Sequence, residues 1–393
     1  MSQGPMSGIR VIDLTIAAAG PYAAGILAGQ GAEVIKVERP DGGDFMRGMG
    51  AQSNGVTATF ASWNRGKRSI CVDLKQPAGA ALVKRLAATA DVFMHNLRPG
   101  NAESMGLGHE DLRHVQPRLI YAVLTGWGET GPRAGDPAYD SSMQAAAGFA
   151  AVQADPEDGR PRFVRNAVCD KTSGLTLSQL ITAALFARER TGRGQRLHLS
   201  MLNSALAFLW ADGMQNVAFL DAPKGGARAT MPPVRKTADG WMSLSCNLDT
   251  EFQALCRVLE RPDLAGDARF AKAGERSRNG APLWAAVDPL LAQRSTADLA
   301  AQFAANRIPY SVVNTPENVH EDAQVQAIGA LEVMQHPQGG RARVARPPGD
   351  FSATPLGSPT PSPALGQHTD AVLASLGLSA QDIAALRAAK TVA

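Results

Sequence analysis

Several signatures that would name a chemistry outright are missing from this chain. Its four cysteines, Cys71, Cys169, Cys246 and Cys256, make no CxxC pair and no metal-ligand spacing. The seven histidines form no HExxH or HxH, so no metal site is expected. GxSxG is absent, which removes a nucleophile elbow. The first β-α turn reads LTIAAAGPYAAG and lacks GxGxxG, which disfavours a nicotinamide dinucleotide. No run of about 18 apolar residues is present, so no membrane span is expected. The opening MSQGPMSGIRVID has no charged segment followed by an apolar one, so no signal peptide is expected. Basic residues are scattered and net charge is only +3, which argues against nucleic acid or a membrane surface as partner. Unpaired thiols fit a reducing, cytoplasmic compartment.

What is present is alternation. GIRVIDLT is a short apolar run of strand length. GPYAAGILAGQG is helix-like, and AEVIKVE is a second strand. RSICVDL then reads as a strand and PAGAALVKRLAATA as a helix opened by Pro77. DVFMHNL and RLIYAVLTGWG are further strands. A helix is expected from Thr172 to Arg190, with Leu175, Leu180, Ile181, Ala184, Leu185 and Arg188 on one face and Gly192 ending it. QRLHLSM is a strand, and SALAFLWADGMQNVAFL a helix. This pattern predicts an α/β fold with a parallel, doubly wound sheet, extending to about residue 220.

Composition then changes. Residues 221–233, DAPKGGARATMPP, read as a linker. A small α+β domain is expected over about 225–325, with a hairpin turning at Asp239-Gly240, helices near 250–260 and 281–306, and a strand in IPYSVVN. A second linker falls at 326–330. The chain closes with two helices separated by Gly377.

Asp170, in RNAVCDKTSG, is the sharpest candidate. Aspartate favours the N-cap, where its carboxylate accepts bonds from orphan amides and is held ionised. The same carboxylate can act as a nucleophile if a reactive acyl group reaches it in a dry site. Local pattern leaves both readings open. The neighbouring Cys169 reads better as a buried, inert thiol. His95 and His198 read as core histidines. Ala17, Ala18, Ala19 and Gly20 in the first turn allow close approach of a ligand or simply tight packing. Arg39, Lys75, and Asn96 with Arg98 follow three successive strands. They share one edge of the expected sheet, where a multiply charged ligand would be gripped. Arg162 and Arg165 precede Asp170 and can meet a dicarboxylate or serve as ordinary surface charge.

Taken in order, GIRVIDLTIAAAGPYAAGILAGQGAEVIKVERPDGGD, NRGKRSICVDLK, NLRPG, GDPAYD, VCDKTSG, ERTGRGQRLHLSM and ALGQHTDAVLASLGL resemble the class III CoA-transferases, among them formyl-CoA transferase and carnitine CoA-transferase. The resemblance spans nearly the whole chain. It implies a Rossmann-like large domain built from both chain ends, 1–220 and 330–393, plus the small domain, in an interlocked homodimer. It implies CoA transfer from an acyl-CoA to a small carboxylic acid, through an aspartyl mixed anhydride and an aspartyl-CoA thioester. No tightly bound cofactor is implied, because coenzyme A is a substrate. The catalytic aspartate falls on Asp170. The CoA contacts fall on Ala18, Ala19, Arg39, Val72 through Lys75, Asn96, Leu97, Arg98 and Tyr139.

Departures from formyl-CoA transferase-like members narrow this. Those members carry glutamine at Ala18, arginine at Ser104, lysine at Pro137, and a glycine-rich loop where this chain reads SLSCNLDTEF. The departures point away from formyl-CoA and oxalate. They leave Arg98 as the candidate for a phosphate contact that Ser104 cannot make. The alternatives are a 2-methylacyl-CoA racemase and a non-catalytic CoA-binding protein. The racemases resemble this family but carry a histidine base where Tyr139 stands, and tyrosine is a poor base near neutral pH.

Overall fold

The computed structural model describes residues 4–221 and 233–393. All but the end residues of the linker expected at 221–233 lie outside them. The chain divides into two compact units, Met1–Gly225 with Gly329–Ala393, and Gly226–Ile328.

The first unit is built on six strands: β1 (Arg10–Asp13), β2 (Glu33–Glu38), β3 (Lys67–Cys71), β4 (Val92–His95), β5 (Ile120–Thr125) and β6 (Gln195–Ser200). Their spatial order is β3-β2-β1-β4-β5-β6, and every pairing is parallel. This doubly wound order reverses between β1 and β4, where a crevice opens beyond the strands' carboxyl ends.

The strands are apolar because both sheet faces are covered; all six residues of β5 are buried. Alternation sorts their side chains. Val11, Val34, Met94 and Ala122 pack on one face. Ile12, Ile35, Phe93 and Tyr121 pack on the other.

Five helices concern the site: α1 (Ala19–Gly29), α2 (Pro77–Ala87), α3 (Asp140–Ala146), α4 (Val168–Thr191) and α5 (Met201–Gly213). Residues of α1, α4 and α5 cover the first face. Those of α2 and of the C-terminal helices Thr369–Ser375 and Ala380–Ala388 cover the second.

The C-terminal segment is tied to the sheet edge. The Cys71 amide donates to Thr369 Oγ1 at 3.1 Å, the His368 amide donates to Ser69 O at 2.8 Å, and Val392 bridges Val72. Both ends of the chain therefore build this unit.

In this unit three details differ from the sequence reading. On α4, Leu175 is exposed, and Leu177 is buried in its place. Helix α5 stops at Gly213, so the following NVAFL is not helical. A hairpin, Leu331–His336 with Gly340–Ala345, forms where no strands were expected.

The second unit holds an antiparallel sheet with Trp241–Leu244 between Arg235–Lys236 and Tyr310–Val312. The hairpin turns at Asp239-Gly240, where the Thr237 amide donates to Gly240 O at 3.0 Å. Phe252, Phe270, Leu299 and Phe303 form its core. The single helix expected over 281–306 is two, Gly280–Leu291 and Thr296–Ala305. Ser295 caps the second through the Asp298 amide. Among the described residues, no helix is long and apolar enough to cross a membrane.

Candidate active site

The site begins at the β1–α1 turn. Ala17 has φ 71°, in the left-handed region. That costs a residue with a Cβ roughly 1–2 kcal/mol, so neighbours must hold it. Asn96, just beyond β4, supplies two bonds. Its Oδ1 accepts from the Ile16 amide at 3.0 Å, and its Nδ2 donates to Ile16 O at 2.9 Å. Asp44 Oδ1 accepts from the Ala17 amide at 3.2 Å.

Under the turn lies a buried ionic network. Lys36 Nζ donates to Thr15 O at 2.7 Å and pairs with Asp44 Oδ2 at 3.0 Å. Lys67 Nζ meets Asp13 Oδ2, Pro21 O and Asn64 Oδ1, each at 2.9 Å, which uses its three donors. Arg47 grips both oxygens of Glu38.

Burial opposes every charge here, and pairing decides the outcome. Burial pushes the Asp13 carboxyl up, but Lys67 and Lys36 hold it below its usual value. Burial pulls Lys67 down to about 8 despite Asp13. Lys36 ends above its ordinary value, because Asp13, Asp44 and Glu38 outweigh burial. Taking these charges out of water offsets much of their mutual attraction, so the network adds little net stability.

Helix α4 brings the aspartate. Asp170 is not the N-cap. That position is Ala167, which makes no side-chain cap, and Asp170 is the third helical residue. Its amide donates instead to Asp140 Oδ1 at 2.9 Å, so a carboxylate from α3 caps α4 from outside. Gln144 fixes Asp140 by donating to its Oδ2 at 2.6 Å. Gln144 also bonds Val164 in both directions and donates to Asn166 O.

The Asp170 carboxylate accepts from the Ala19 amide at the start of α1. Gly174 permits this approach. A Cβ there would sit 2.8 Å from Ala19 O and 2.8 Å from Tyr22. Nor is Asp170 held firmly ionised, as a capping reading expects. Burial, then the Asp140 charge, push it up to about 6, against the Ala19 amide. A carboxylate with that pKa is mostly ionised at pH 7 and more basic than an ordinary one, which suits a nucleophile.

Two cavities flank the switch point. The first, about 410 Å³, is lined by Asp170, Ala17, Ala19, Asn96, Leu97, Arg98, Thr125 and Tyr139, with Ile16, Phe45, Leu124 and Met201 as apolar walls. The second is a groove of about 740 Å³ between the ends of β2 and β3 and the start of α2. Arg39, Val72, Lys75, Lys84 and Ser104 line it, and Leu97 and Asn101 line both spaces. Arg39 Nε donates to Gly43 O at 3.0 Å. Among the described residues, neither the Lys75 nor the Lys84 ammonium group has a hydrogen-bond or acidic partner; Lys75 bonds only through its backbone amide, to Asp73 Oδ1 at 3.0 Å.

The sequence candidates thus sort into groups. Arg39, Val72, Lys75 and Leu97 lie at the groove, although the Val72 side chain is packed in the core. Ala19, Asn96, Arg98 and Tyr139 lie at the Asp170 cavity. Ala18 is buried and lines neither; its neighbours Ala17 and Ala19 do. Arg98 is separate from the groove where a phosphate contact was expected, whereas Ser104 is in it. Arg162 is paired with Asp155, and neither Arg162, Arg165 nor Lys171 lines the two spaces.

Cys169 is buried, and its thiol is pushed up to about 12, which suits the inert reading. His95 is a core histidine: burial takes it down to about 4, and its Nε2 lies 2.9 Å from Tyr121 Oη. His198 is half-buried beside Thr125. No histidine lines the Asp170 cavity among the described residues.

Asp140, Gln144 and Lys84 were not singled out from sequence. Asp140 and Gln144 at i, i+4 spacing was the available signal for the first two. Lys84 gave none, since a lysine on an exposed helix face is ordinary.

The model of CoA-transferase family III matches residues 6–369. The chain is 36% identical to succinyl-CoA:glutarate CoA-transferase of Mus musculus, covering 95% of this chain and 86% of that protein. It is 37% identical to succinate–glutarate CoA-transferase of Agrobacterium fabrum, covering 95% and 96%. A crystal structure of a CAIB/BAIF family protein from Brucella suis superposes with a TM-score of 0.83 at 34% identity, covering 95% of this chain and all of that one.

Proposed function

The chain belongs to CoA-transferase family III and is a CoA-transferase, and from that premise we propose that Asp170 carries the acyl group between two thioesters. The observation behind this reading is a carboxylate raised to about 6, bonded to the Ala19 amide, in a largely apolar cavity beside a groove that carries Arg39, Lys75 and Lys84.

The groove suits the phosphates of coenzyme A, with Arg39, Lys75 and Lys84 as cations and α2 offering its N-terminus. Leu97 and Asn101, shared by both spaces, mark the path for the pantetheine arm. Asn96 acts through the turn it holds, and Tyr139 stands at the cavity rim. The small acids are of the kind named in the relatives, succinate and glutarate.

The steps balance without a net proton. Ionised Asp170 attacks the thioester carbonyl, the C–S bond breaks, and CoA thiolate departs from a mixed anhydride. The thiolate attacks the aspartyl carbonyl of that anhydride and releases the first acid, leaving an aspartyl-CoA thioester. The acceptor carboxylate attacks this thioester and expels thiolate again. The thiolate then attacks the acceptor's carbonyl, forming the new acyl-CoA and restoring Asp170. No ATP is needed, because thioester is exchanged for thioester. Apolar walls protect the anhydrides from water. The test is exchange between acyl-CoA donors and free acids, followed by mass spectrometry. Asp170→Ala should abolish transfer; undiminished transfer refutes the mechanism. Proton exchange at an α-carbon without CoA transfer would favour racemisation instead.

We also infer a homodimer. Leu175 and Phe186 on α4, Phe208 and Trp210 on α5, and Phe219 and Leu220 after it are exposed apolar side chains. Covering these side chains with a second copy of the chain would remove their apolar area from water. Light scattering behind size exclusion tests it, and a monomer at micromolar concentration refutes it. Four free thiols, three of them buried, fit a cytoplasmic location.

A further inference from the structure

The cations around the switch point fall into two sets. Arg39, Lys75 and Lys84 share the groove. Arg98 stands apart, in the cavity of Asp170. Arg98 is exposed, at the solvent side of that cavity, and its guanidinium makes no hydrogen bond or ion pair among the described residues. The other acid in that cavity, Asp136, is taken by Arg133 Nε at 2.8 Å. Much of the remaining lining is apolar or small: Ile16, Ala17, Ala19, Phe45, Leu124 and Met201. An uncharged acyl chain has no use for a guanidinium there. An acyl group with a second carboxylate would find there a planar pair of N–H donors, which matches a carboxylate's two oxygens.

We infer that Arg98 is the specificity-determining residue for the acyl group, pairing with the distal carboxylate of a dicarboxylic acid while the proximal one reacts at Asp170. This rests on Asp170 being the acyl carrier. It moves dicarboxylate recognition from Arg162, which is spent on Asp155, and from Arg165, which lines neither space, to the cavity itself. It also removes Arg98 from the phosphate contacts. A guanidinium presents two parallel donors to a carboxylate, so lysine is an incomplete replacement. The reading applies in both directions of transfer, because donor and acceptor acyl groups occupy the same place in turn.

The experiment compares matched pairs on the full chain. Donors are succinyl-CoA and butyryl-CoA; acceptors are glutarate and pentanoate. Wild type should prefer the carboxylated member of each pair. In Arg98→Met, the ratio of kcat/KM values, carboxylated over uncharged, should fall by about 10- to 100-fold. Arg98→Lys should lie between. Equal losses for succinyl-CoA and butyryl-CoA would overturn the proposal and return Arg98 to the CoA phosphates. A wild type without preference for the carboxylated member would overturn it too. Failure of the carrier reading shows elsewhere, as transfer persisting in Asp170→Ala.

Discussion

A nucleophile held at a raised pKa is a standing cost to the fold, and Asp170→Asn measures it. In the unfolded chain the aspartate has its ordinary value of 3.8, and in the fold it is pushed to about 6 by burial and Asp140. A difference of about 2 units is worth about 3 kcal/mol against folding once both states are ionised. The sign follows from proton counting. Between pH 4 and 6 the folded state binds more protons than the unfolded one, so this group makes the protein more stable as pH falls. Asparagine keeps the carbonyl that accepts from the Ala19 amide and carries no charge. It should therefore stabilise the protein by about 3 kcal/mol at pH 8 and by only about 0.5 kcal/mol at pH 4. For a chain of this length that is a Tm rise of about 4 °C at pH 8, readable by calorimetry. CoA transfer should be abolished in the same variant. Destabilisation at pH 8, or a gain independent of pH, would show that Asp170 is not strained by its setting.

Asp140→Asn removes the charge facing Asp170, so the acid limb of kcat/KM should move to lower pH; an unmoved limb contradicts the pairing. Because the new amide nitrogen would face Gln144 Nε2, some loss of stability is expected alongside. Gly174→Val places carbon atoms against Ala19 O and Tyr22, and should cost about 1–3 kcal/mol in denaturant melts and lower kcat by about 100-fold. Lys75→Ala combined with Lys84→Ala should raise KM for acyl-CoA by about 10-fold or more and flatten its dependence on salt; unchanged KM would take the phosphates out of the groove. Asn96→Ala strips two bonds from the turn holding Ala17, and should cost about 1–3 kcal/mol in urea unfolding.

Much of the architecture followed from the sequence alone. Strand-length apolar runs alternating with helical periods demand a parallel sheet covered on both faces, because neither element can bury its apolar side otherwise. Asp170 stood out because a carboxylate at the mouth of a long helix is legible locally. Polar residues after successive strands had to share one edge, since parallel strands end on the same side. The resemblance then assigned chemistry that no spacing could give.

Tertiary structure decided what lies across the fold from each residue. That Asp140 caps α4 and lifts Asp170 depends on helix α3 meeting α4, some 30 positions apart in sequence. That Gly174 lets α1 deliver the Ala19 amide depends on two helices crossing. Lys84 became part of the groove only because α2 packs beside β3. Arg98 and Arg39 look alike in sequence, each a basic residue following a strand. The fold sends them into different spaces, because the strand order reverses between β1 and β4. Sequence determines which groups are available at the carboxyl edge. Which cavity each one faces, and with what charge beside it, is settled by packing between segments distant in the chain.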